Sequence, residues 1–188
     1  MDDVSRALTI NGRQLEQLNT MTQRLQERYQ TQYDRALSLS ERARRDRLMQ
    51  LNREYTNAWL NDARKVLDEK QLARYQQLQL QYGGFSTFND PAIQKQLNLT
   101  DAQLRDLGDA LTWSNQRTQE IVTRAQTDRV LAREWYREYA KEYQDRLRKV
   151  LTAEQQRQWS ELTGEPFPFP PPFGSVPDTT TTTTPPKQ

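Results

Sequence analysis

Four carboxylates recur at helical spacing late in the chain, Glu134, Glu138, Glu142 and Asp145. Such a row is raw material for two chemistries: general acid–base catalysis by paired carboxyls, or a di-metal site in a helical bundle. Neither set is complete. The 188 residues include no histidine and no cysteine, which removes zinc ligands of the usual kinds, thiol nucleophiles, disulfides and the imidazoles that bundle metal sites require. The row is also interleaved with Arg133, Arg137, Lys141 and Arg146, the pattern of ion pairing along a solvated helix face. The expectation is a protein that is not an enzyme and takes no metal or cofactor.

Cations offer the other candidate site. The stretch "ERARRDR" places Arg42, Arg44, Arg45 and Arg47 within two helical turns. It is either a landing site for an acidic partner or a solvated helix start tempered by Glu41 and Asp46. A weaker copy, Arg124, Arg129 and Arg133, lies in "TRAQTDRVLARE". Net charge is only +2, so nucleic acid is not an expected partner. No apolar run approaches the length of a membrane span, and "MDDVSRALT" lacks a signal-peptide core. Other proteins remain as the expected partners.

The elements that must carry these residues follow from proline placement. Prolines are absent from 1–90, one stands at Pro91, none falls in 92–165, and the remaining eight begin at Pro166. Proline interrupts helix interiors, so the pattern predicts two long helical blocks, a break at "GGFSTFNDP" and a non-helical tail. An apolar content of 34% with 28% charged residues suits thin helices that bury one stripe and solvate the rest.

The two blocks are copies. "REYTNAWLNDARKVLDEKQLARY" (53–75) aligns with "REYAKEYQDRLRKVLTAEQQRQW" (137–159), and "VSRALTINGRQLEQL" (4–18) with "IQKQLNLTDAQLRDL" (93–107). The offsets differ, 84 against 89, which puts an insertion in mid-block, where a helical hairpin would have its tip. The first arm would run from about Gly12 to Leu37, "SLSE" (38–41) would cap the return arm, and the second block would turn near Ala125 to Asp128. One unbroken helix per block is the alternative, since neither tip contains Gly or Pro. Stripes at three- and four-residue spacing would form the core: Leu15, Leu18, Leu25, Tyr29 and Ala36 facing Leu48, Leu51, Tyr55, Ala58 and Trp59. In the second block Leu104, Leu107, Leu111, Ile121 and Ala125 would face Val130, Tyr136, Tyr139, Tyr143, Leu147 and Val150.

Four helix starts share one chemistry: Ile10-Asn11-x-x-Gln14, Leu67-Asp68-x-x-Gln71, Leu99-Thr100-x-x-Gln103 and Leu151-Thr152-x-x-Gln155. Each joins an aliphatic staple residue, a good N-cap and a Gln at the third helical position, the elements of a stapled capping box. "LNLTDAQ" and "LTAEQQRQW" resemble the LTxxQ family of bacterial envelope proteins, the CpxP/Spy-type group. The likeness extends over about 93–167 and, through the repeat, over about 4–85, where Asn11 and Asp68 replace Thr.

The resemblance implies an all-α protein of two tandem antiparallel helical hairpins, elongated and coiled-coil-like. The domains would be a first hairpin repeat (1–85) and a second (86–165), followed by a Pro/Thr-rich tail (166–188) that its low-complexity composition, not the resemblance, marks as disordered. The resemblance implies an ATP-independent periplasmic chaperone for unfolded envelope proteins, or an envelope-stress adaptor docking one sensor. It further implies export as a mature chain without its signal peptide, and the duplication suggests a single chain that supplies both halves of a pseudo-dimer. Metal-binding members use His and Met, and this chain has no His and only Met1, Met21 and Met49.

Overall fold

The computed structural model describes residues 2–174. They form an all-α protein, with no strand among the described residues: α1 (Asp2–Ala7), α2 (Gly12–Leu37), α3 (Glu41–Ala63), α4 (Glu69–Gly83), a 3-10 turn (Gly84–Asn89), α5 (Pro91–Gln96), α6 (Asp101–Ala125), α7 (Arg129–Val150) and α8 (Ala153–Thr163). The chain divides into two compact units, Met1–Gln79 and Leu80–Gln188. The division falls inside α4, N-terminal to the sequence-based boundary at 85/86, because Leu80, Phe85 and Phe88 all pack into the second unit's core.

In the first unit α2 and α3 lie antiparallel. Trp59 Nε1 donates to Thr22 Oγ1 (2.9 Å), Tyr33 Oη to Asn52 Oδ1 (2.7 Å) and Arg47 Nη2 to Gln32 Oε1 (2.9 Å), so positions rise along one helix as they fall along the other. The seam buries Leu25, Tyr29, Ala36 and Leu51; nearer the motifs it buries Leu18, Ala63 and Leu67. Tyr29 meets Tyr55 edge-on at 5.6 Å, and Trp59 stacks on Tyr75 at 4.4 Å.

The turn between these helices departs from the expected cap. Ser38 keeps helical backbone angles (φ −82°, ψ −5°) and ends α2, its Oγ donating to Arg35 O (2.8 Å). An N-cap needs extended backbone, and Ser40 (φ −57°, ψ 154°) supplies it without a side-chain cap bond. Glu41 therefore sits at the first helical position instead of the third, and "SLSE" forms no capping box.

The second unit repeats the arrangement. Ser114 and Tyr139 share a hydroxyl hydrogen bond (2.8 Å), and Arg117 reaches Glu138 (3.8 Å) across antiparallel α6 and α7. Asp128 caps α7 by accepting from Leu131 N (3.0 Å), at the turn expected from sequence. One stripe position is displaced: Val130 is 71% exposed, and Ala132, fully buried, takes the inward place. The break at "GGFSTFNDP" is also more than punctuation. Phe85 and Phe88 are each 2% exposed, against Tyr143 (4.3 Å) and Trp159 (4.6 Å). Gly84 has φ +53°, and a Cβ there would lie 3.4 Å from Tyr143 Oη, so glycine meets both the left-handed backbone and the close approach.

Of the Pro/Thr-rich tail, 166–174 are described and 175–188 lie outside the described residues. The described part is non-helical, as its prolines require. It is also held against the second unit by Phe167, Phe169 and Phe173.

Candidate binding surface

The four Leu-cap-x-x-Gln motifs come together in pairs, one pair in each unit. In every motif the cap side chain accepts from the Gln backbone N–H, at Asn11 (2.9 Å), Asp68 (2.8 Å), Thr100 (3.3 Å) and Thr152 (3.3 Å). The Gln Oε1 accepts from the cap N–H in return (3.0, 3.1, 3.1 and 2.9 Å).

The amides then bond each other. Gln103 Nε2 donates to Gln155 Oε1 (2.6 Å) and Gln155 Nε2 to Gln103 Oε1 (3.2 Å), with Gln14 and Gln71 doing the same at 2.8 and 3.3 Å. Each amide's second proton goes to a carbonyl beside the opposite motif: Gln14 to Val66 O, Gln71 to Thr9 O, Gln103 to Val150 O and Gln155 to Leu97 O. Both donors and both acceptor sites of every amide are occupied. A carboxylate could not donate, which is why glutamine stands at a capping position where glutamate normally serves as well. That four motifs all choose Gln was the available signal; cap reasoning alone did not use it.

One of those carbonyls, Thr9 O, belongs to a left-handed residue, and another, Leu97 O, to the residue just before one. α1 and α5 end in Schellman turns, with Ile10 N bonded to Ser5 O (3.2 Å) and Leu99 N to Gln94 O (3.0 Å). The residues between, Thr9 (φ 52°) and Asn98 (φ 51°), occupy equivalent places in the two copies. The motif residues are therefore a structural clasp, with their side chains turned toward one another.

The outward-facing candidates lie elsewhere. Of the sequence-predicted arginines, Arg47 is engaged, with Glu54 (3.4 Å) and Gln32 (2.9 Å). Arg42, Arg44 and Arg45 form no ion pair among the described residues. They sit on the first turns of α3, next to the exposed Leu37 (59%) at the end of α2 and Leu39 (42%) in the loop.

A second feature of this unit escaped the sequence reading. An open trough of ≈ 570 Å³ has Met21, Leu25 and Val66 as its apolar floor, with the cations Arg24, Arg28 and Lys65 and the carboxylates Glu16 and Asp62 in its polar lining. Its signal was present as two interleaved i, i+4 pairs on α2, Met21 with Leu25 and Arg24 with Arg28.

Three cations of the second unit, Arg124 of the sequence-predicted set among them, lie over aromatic rings. Arg117 and Arg124 lie 4.8 and 5.1 Å from the Trp135 ring, and Arg146 lies 4.2 Å from Trp113. The carboxylate row is distributed among separate cations: Glu138 with Arg117, Glu142 with Arg146 (2.7 Å), Asp145 with Arg148 (3.3 Å). No group of three or more potential metal ligands occurs among the described residues. No described helix is long and apolar enough to cross a membrane. Burial raises the Tyr75 hydroxyl to about 12, with a contribution from Tyr55, and pushes Tyr143 up as well; both rings act as core.

No protein-family model, curated protein or solved structure matches this chain.

Proposed function

We propose that the protein is a non-enzymatic, ATP-independent chaperone of the CpxP/Spy type, a tandemly duplicated member that binds exposed segments of unfolded or partly folded proteins in the bacterial periplasm. The observation that carries this reading is the trough on the first unit. Its apolar floor removes exposed side chains from water, while Arg24 and Arg28 attract the acidic groups that flank them; Lys65 is paired within the trough with Asp62 (2.6 Å). An open trough suits a passing extended chain better than a small ligand, which is bound by enclosure. The LTxxQ motifs support the family reading, and the repetition of one arrangement in both units supports a single chain acting as a pseudo-dimer.

The test is suppression of client aggregation without nucleotide. A reduced or heat-unfolded client should aggregate more slowly at stoichiometric protein, and Arg24→Glu with Arg28→Glu should abolish most of the delay. Equal protection by the variant, or none by the wild type, refutes the reading. One observation favours a second reading, a regulatory adaptor: Arg42, Arg44 and Arg45 occupy a helix-pair end, suited to docking one acidic partner. An adaptor would ignore unfolded clients and retain a single protein from envelope extract, with loss on Arg42→Ala, Arg44→Ala and Arg45→Ala together.

A further inference from the structure

The segment "PFPFPPPF" (166–173) lies on an aromatic face of the second unit. Its start is held by one side chain: Gln81 Oε1 accepts from Phe167 N (2.8 Å), while Gln81 Nε2 donates to Thr163 O (2.7 Å) and Glu165 O (2.9 Å). Phe169 packs edge-on against Tyr82 (5.4 Å) and against Phe167 (4.7 Å). Farther along, Phe173 meets Tyr136 at 86° and 6.4 Å. Tyr136 is one end of a ladder on α7, followed by Tyr139 (5.9 Å) and Tyr143 (6.2 Å).

Three features make this contact one of ligand and groove. Five of the eight residues are proline, which has no N–H. Among the described residues no backbone–backbone hydrogen bond joins 166–174 to a helix. Recognition therefore runs through rings and a single amide, the mode by which proline-rich segments dock on aromatic-lined grooves. The fit is also incomplete: a cavity of ≈ 370 Å³ remains, lined by Phe167 and Phe169 on one side and Tyr143, Leu147 and Trp159 on the other.

We propose that this face, built on Gln81, Tyr82 and the α7 tyrosine ladder, is a binding groove for proline- and phenylalanine-rich segments of other proteins, occupied in the free chain by its own residues 166–173. The segment is then an internal competitor. A groove free for only a fraction of the time binds an external segment more weakly by that fraction. The surface is distinct from the first unit's trough, so its fate is independent of the chaperone reading.

The probe is a fluorescent synthetic peptide of residues 164–174, titrated by anisotropy into the full chain and into the full chain carrying Phe169→Ser and Phe173→Ser. The substituted chain should bind the peptide at least tenfold more tightly than the wild type. A peptide with Phe167→Ser, Phe169→Ser and Phe173→Ser should bind neither. Phe169→Ala alone, which alters only the segment and leaves Gln81 and every groove ring in place, should also strengthen binding over wild type, to a smaller extent, and guards against misfolding of the first variant. Equal affinity for wild-type and both variant chains, or no binding by either variant, overturns the proposal. A concentration-dependent dimer of the wild type that the peptide dissociates would give the groove to a second copy and overturn occupancy by the chain's own segment.

Discussion

Replacing Gln155 by alanine tests the amide clasp more sharply than any cap substitution. Gln155 is 8% exposed, and its side chain takes part in bonds with Thr152 N (2.9 Å), Leu97 O (3.1 Å) and, in both directions, Gln103 (2.6 and 3.2 Å). Truncation strands the Leu97 carbonyl on a residue only 1% exposed and half of the Gln103 amide. At about 1 kcal/mol per net hydrogen bond and 1–3 kcal/mol for a buried group left without a partner, the loss should be about 2–4 kcal/mol. Thr100→Ala, which removes only the cap bond, should cost about 1 kcal/mol. Urea unfolding followed by far-ultraviolet circular dichroism gives both values. Gln103→Ala combined with Gln155→Ala should then cost less than the two singles together, by about 1 kcal/mol or more, because the second truncation removes a group already stranded. Additive losses, or a Gln155→Ala cost no greater than that of Thr100→Ala, would refute the clasp.

Relief of left-handed backbone makes Thr9→Gly stabilising by up to about 1 kcal/mol, measured in the same unfolding assay; a loss would show that the threonine side chain matters more than its φ of 52°. Leu51→Ala, at a fully buried position, should cost about 2–5 kcal/mol, whereas Val130→Ala at an exposed one should change stability by less than about 0.5 kcal/mol. Burial holds Tyr75 protonated up to about 12 and raises Tyr143 too. The unfolded chain releases these protons near pH 10, so their stabilisation is intact below about pH 10 and is lost as pH rises toward 12. Urea midpoints should fall over that interval, and Tyr75→Phe should flatten the fall; an unchanged slope would separate Tyr75 from alkaline unfolding.

The helix starts were legible because cap chemistry is local. Asn11, Thr100 and Thr152 cap the helices their sequences announce, and Gly12–Leu37 has the bounds that spacing predicts. Where local rules offered two registers, they failed: Ser38 and Ser40 compete for one N-cap, and backbone conformation selects Ser40. Val130 and Ala132 both suit the start of an apolar stripe. Contact with Ile121 and Ala125 puts the smaller residue inside.

Residue order along the chain therefore specified the all-α class, the repeat and the helix-initiating motifs, all set by interactions within four residues or by periodicity. Partners some fifty residues apart required the fold. Gln103 meets Gln155, and Gln14 meets Gln71, only because an antiparallel helix pair returns the chain to its starting end. The same return assembles the Met21 trough, while the segments flanking the second helix pair bury Phe85 and Phe88 and lay Phe173 across Tyr136. Apart from the i, i+4 pairs on α2, these contacts join side chains whose separation along the chain carries no periodic signal, so only the tertiary fold brings them together.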